Sequence, residues 1–137
     1  MPQRKLRKDR QRKPKTKVFF KRFKIPVFSS EVSVVCCESP EGAHRKVSSC
    51  GFMIDLEQFP NTVEARTFGF SGGRVLVWLT KFPKNSETIG VLVHELTHVA
   101  TFIARYCGIV FSVDSEEVFA YVSGYLTTQI LKEFLRI

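Results

Sequence analysis

Long apolar runs are missing from this chain. No uncharged stretch approaches the roughly 18 residues that a spanning helix needs, and the positively charged start is followed only by Val18-Phe19-Phe20, too short for a secretory segment. Cysteine is scarce and poorly spaced for crosslinking. Cys36, Cys37, Cys50 and Cys107 form no C-x-x-C pair and two of them are adjacent, which argues against a disulfide framework or a thiolate zinc site. They read instead as small core residues of a protein in a reducing compartment. The expectation is a soluble, intracellular protein without membrane contact. Acids are nearly absent from one end. Of 21 Lys and Arg, twelve fall between Arg4 and Lys24 against the single acid Asp9, and the remainder carries 9 bases against 12 acids. The formal net charge of +8 thus describes a basic arm on a mildly acidic body.

At 137 residues and 44% hydrophobic, the chain has enough length and apolar content for one core and little room for two. Met1 to Lys17 cannot bury enough apolar surface to offset its ordering entropy, so residues 1–17 are expected to form a disordered basic arm ahead of a domain over 18–137. The density of Lys and Arg over 4–24 fits a phosphate-backbone contact with nucleic acid, a localisation signal or a solubilising tail. The aromatics that would stack on bases begin only at Phe19, Phe20 and Phe23, which are better placed to enter the fold.

From Phe19 to Pro83 the pattern is short and β-like. Val32 to Cys36 is a candidate strand, and Ser39-Pro40-Glu41-Gly42 reads as a turn or loop. Thr62 to Phe70, Ser71-Gly72-Gly73 and Arg74 to Phe82 read as a hairpin whose glycine pair supplies positive φ. Its second arm, Val75-Leu76-Val77-Trp78-Leu79, is apolar on both faces. It is either covered on both sides or placed where an extended peptide could pair with it.

Asn85-Ser86-Glu87 is a helix start, and the spacing predicts a helix to about Cys107 with Gly108 as its left-handed terminator. Apolar residues surround it, which predicts burial. A second helix is expected over Asp114 to Leu135 after a short extended link. The first of these helices carries His94-Glu95-Leu96-Thr97-His98. Imidazoles at i and i+4 stand one above the other, about 6 Å apart along the axis, and can share one metal ion. Zn²⁺ takes imidazole nitrogen at about 2.0–2.1 Å, and a catalytic site uses three protein ligands, so a third must come from elsewhere. Glu95 is placed to accept a proton from the water that such a metal activates. The competing structural reading has both histidines bonded to backbone and Glu95 paired with Arg105.

For the third ligand, Glu117 begins a helix stripe with Ala120, Tyr121, Gly124 and Thr128, whose small residues would let the metal helix approach closely. Glu116, above Phe119 and Ser123, is its rival, and His44 is a weaker one. Asp114 and Glu117 could alternatively form a capping box with no catalytic part. Tyr121, one turn after Glu117, could donate to an oxyanion or serve as a plain core tyrosine.

His94-Glu95-x-x-His98 followed by Glu117 resembles the gluzincin class of zinc metallopeptidases. With Cys107-Gly108-Ile109 and Glu117-Val118-Phe119-Ala120-Tyr121-Val122-Ser123-Gly124-Tyr125 it is similar to small phage-encoded zincin-like proteins. No Asn directly precedes Glu117, and no His-x-x-Gly-x-x-His continuation follows His98, so the chain departs from thermolysin-like and metzincin patterns. The resemblance implies zinc on His94, His98 and Glu117, Glu95 as general base, a peptide or protein substrate, and the host cytoplasm if phage-encoded. The expected fold is α+β, a small mostly antiparallel sheet followed by two packed helices that carry the metal site. The alternative function is a non-catalytic zinc protein that binds nucleic acid or a host factor through its arm.

Overall fold

The computed structural model describes residues 17–26 and 28–136. The arm expected over 1–17 lies outside them except for Lys17. The fold is α+β. Four strands, β1 (Phe19–Ile25), β2 (Ser30–Cys36), β3 (Ala65–Gly69) and β4 (Arg74–Leu79), form one sheet in the order β1-β2-β4-β3. β1 with β2 and β3 with β4 pair antiparallel, whereas β2 with β4 is parallel. A parallel pair needs a crossover. Helix α1 (Pro40–Ser49) supplies it, and it replaces the turn expected at Ser39 to Gly42. The start signals were present: Ser39 Oγ accepts from Gly42 N at 3.1 Å, with Pro40 and Glu41 in the first turn. The apolar content was not, since only Gly42, Ala43 and Val47 are buried in this helix.

Period-two alternation in β2 and β4 builds two cores. Val32, Val34, Cys36, Val75, Val77 and Leu79 face helices α2 (Ser86–Tyr106) and α3 (Glu116–Leu135). Val35, Leu76 and Trp78 face α1, Phe52 and Phe59. β4 is therefore a central strand covered on both faces, and β3 takes the edge. The hairpin turns through Gly72 (φ 75°) and Gly73 (φ 73°), a backbone region that side-chain-bearing residues rarely adopt.

α2 begins and ends where expected. Asn85 accepts from Thr88 N at 2.9 Å, and Gly108 follows the last turn at φ 73°. It is not buried all round, because the sheet covers one side and α3 another, leaving Val93, His94, Thr97 and His98 exposed. α3 packs through Val122, Leu126, Ile130 and Phe134. The expected docking stripe of Glu117, Ala120, Tyr121, Gly124 and Thr128 is instead exposed, and a Cβ on Gly124 would meet nothing within 4 Å. Large aliphatic residues at i+4 outcompeted small ones for the interior. Cys36 and Cys37 are buried as expected, but Cys50 is only half-buried and Cys107 is exposed; all four are free thiols. Among the described residues no helix is long and apolar enough to cross a membrane.

Candidate metal and catalytic site

The capped start of α2 fixes the helix register, and that register puts His94 and His98 on its open side while turning Glu95 inward beneath β3. His94 Nε2 and His98 Nε2 are 3.2 Å apart. Two nitrogens at about 2.0–2.1 Å from a tetrahedral zinc stand about 3.3–3.4 Å from each other, so the pair already has the spacing of two ligands on one ion. Neither histidine is hydrogen-bonded to backbone among the described residues; each has only the other.

Glu95 is 6% exposed, a buried carboxylate next to two open imidazoles. An unpartnered carboxylate at such a depth costs several kcal/mol. Thr67 on β3 supplies the partner, donating through Oγ1 to Glu95 Oε2 at 2.5 Å. That bond fixes the carboxylate and uses one oxygen, leaving Oε1 without a protein donor among the described residues. Arg105 is not its partner. The competing structural reading of the motif, backbone-bonded histidines and a Glu95–Arg105 pair, is thus not the arrangement observed. Thr67 is a site residue that the sequence did not single out, since its contact crosses from strand to helix and no local pattern marks it.

An open cleft runs between β3 and α2. One half, about 490 Å³, is lined by Thr67, Gly69, Glu95, His98, Phe102 and Arg105. The other, about 550 Å³, is lined by Ala65, Glu87, Gly90, Val91, His94 and Glu95. The halves share Ala65 and Glu95, which places both midway along the cleft. Close packing at Gly69 narrows one end, where any Cβ would fall 2.0 Å from the Phe102 ring.

The remaining expected residues stand apart. Among the described residues no group of three His, Cys, Asp or Glu stands together as a metal set, so neither Glu117 nor Glu116 is brought to the histidines. Glu117 is exposed in the first turn of α3 and takes no part in capping. The reciprocal cap there joins Ser112 and Ser115, with Ser112 N donating to Ser115 Oγ at 2.9 Å. Tyr121 is 43% exposed and stacks on Tyr125 at 6.0 Å between ring centroids, and it lines neither half of the cleft. His44 lies on α1 across the sheet, its ring 5.9 Å from that of Phe59. Of the residues expected in the site, His94 and His98 come together and Glu95 lines the same cleft. No family model, curated protein or solved structure matches the chain.

Proposed function

We propose that this protein is a zinc-dependent metallopeptidase of gluzincin type that hydrolyses peptide bonds. The observation that carries the reading is the His94–His98 nitrogen pair at 3.2 Å beside a buried glutamate that a threonine holds in place. His94 and His98 would hold the metal. Glu117, expected as the third ligand, is an exposed carboxylate on the helix that packs against α2 but is not brought to the histidines, so completing the set with it would require the first turn of α3 to approach them. Zinc, when bound, supplies Lewis acidity to the reacting water and carbonyl.

Glu95 then acts twice as a proton carrier. Its free oxygen takes a proton from the water, whose oxygen bonds to the carbonyl carbon. As the C–N bond breaks, Glu95 delivers that proton to the leaving nitrogen. Thr67 keeps the carboxylate aimed throughout. Tyr121 has no assigned part. The expected setting is intracellular, in a host cytoplasm if the protein is phage-encoded. Glu95→Gln should retain zinc and lower hydrolysis by about 10²–10⁴-fold, the usual size of a general-base contribution. Unchanged hydrolysis in that variant would remove the enzyme reading. A second reading, in which zinc is structural and the arm binds nucleic acid or a host factor, is favoured by the concentration of twelve bases between Arg4 and Lys24. It predicts DNA affinity that falls steeply with salt and disappears when residues 1–17 are deleted.

A further inference from the structure

The free edge of β3 is set out for a peptide backbone. Thr80 N donates to Glu64 O and Phe70 N to Arg74 O, so the even-numbered residues of β3 bond to β4. Alternation in an antiparallel pair then directs the N–H and C=O of Ala65, Thr67 and Gly69 away from β4, over the cleft. An extended peptide can add there as a fifth strand. Antiparallel addition is the more stable choice. β3 runs from the half that holds His94 toward the half that holds His98, so the peptide would run from the Arg105 end to the Glu87 end.

Charge differs between those ends. Arg105 lies nine residues beyond, and Glu87 nine residues before, the midpoint of the His94–His98 pair, each about 13.5 Å along the axis, a distance covered by about four residues of an extended strand. Neither is ion-paired among the described residues. Arg66, the other arginine along the His98 half, turns its guanidinium to the opposite face, where it donates to Gln58 O at 3.2 Å and lies over Phe68. Lys81 lines a neighbouring hollow with Glu87 but not the half that holds His94. Arg105 is thus the cation of one half, and Glu87, at the far end of the other, is an acid there together with Glu64.

We propose that the cleft selects extended peptides with an acidic residue about four positions before the scissile bond and a basic residue about four positions after it, Arg105 and Glu87 being the specificity determinants. This rests on the peptidase reading for cleavage but not for binding. The test uses the full-length zinc-loaded protein and two quenched peptides of equal composition, one with Asp before and Lys after the central bond, the other with the two exchanged. Anisotropy of labelled copies on Glu95→Gln protein reports binding without turnover. The Asp-before peptide should bind and be cut about three- to tenfold better at low salt, the gain that two exposed ion pairs supply. The double variant Arg105→Glu, Glu87→Lys should invert the order. Equal use of both peptides, no binding of either, or an order that survives the double variant would overturn the inference. Selective binding without cleavage would support it while removing the peptidase reading.

Discussion

The two faces of the sheet end differently. On one, α1, Phe52 and Phe59 close over Leu76 and Trp78. The Phe59 and Trp78 rings meet edge to face at 5.1 Å, and Trp78 Nε1 donates to Cys37 O at 3.0 Å. The histidine on that side, His44, rests against Phe59. On the other face α2 and α3 cover β1, β2 and β4 with aliphatic side chains, but the edge of β3 and the histidine side of α2 stay open. Similar sheet residues thus support a closed face, where Trp78 has a local partner and Ser33 Oγ is buried without one, and an open face, where a buried glutamate and two imidazoles border solvent space. The contrast separates what holds the fold from what could do chemistry.

The contrast can be broken by substitution. Trp78→Ala should have the largest effect on folding, about 3–5 kcal/mol in denaturant unfolding, while the folded fraction keeps its affinity for zinc. Loss of metal in a still-folded Trp78→Ala protein would show that the two faces are not separable. On the open side, Thr67→Val should lower kcat about tenfold with little change in KM, because it frees Glu95 without removing it. A change in KM alone would mean that Thr67 contacts substrate rather than positions the base.

Alkaline pH sharpens the division between buried and exposed thiols. Burial, reinforced by Cys37 and partly offset by the positive charge of Lys17, pushes the Cys36 thiol up from 9.0 to about 12. The unfolded thiol ionises first, so the neutral folded form contributes its full stability below pH 9 and loses it as pH rises toward 12. Melting temperature should fall over that window, and less so in Cys36→Ser. At neutral pH, maleimide should label exposed Cys107 while leaving Cys36 unmodified in the folded protein. The smallest effect is expected at Tyr121→Phe. Its exposed position predicts a change in kcat/KM of less than about twofold, within the range of surface substitutions.

Features carried by local chemistry could be read from the sequence. The Asn85 cap, the Gly108 terminator and the Gly72-Gly73 turn each depend on a few adjacent residues, and each lies where the residue types placed it. α1 was harder, because a helix that buries Gly42, Ala43 and Val47 leaves almost no periodic pattern. The parallel pairing of β2 with β4 depends on that helix and is no more legible than the helix itself. In the site, His94, Glu95 and His98 line one cleft because one helix carries all three, whereas the Thr67 bond to Glu95 depends on where a distant strand packs. The small-residue stripe of α3 faces solvent for a related reason. Small residues permit close approach, but the larger apolar area of Val122, Leu126, Ile130 and Phe134 decided which face turned inward.

The central claim, that His94 and His98 form two corners of a zinc site, is tested most directly by metal analysis of protein purified without added zinc, compared with His94→Ala and His98→Ala. About one zinc per chain in the parent and close to none in either variant is the expected result. A stoichiometry near zero in the parent, or the same zinc content in all three, would contradict it.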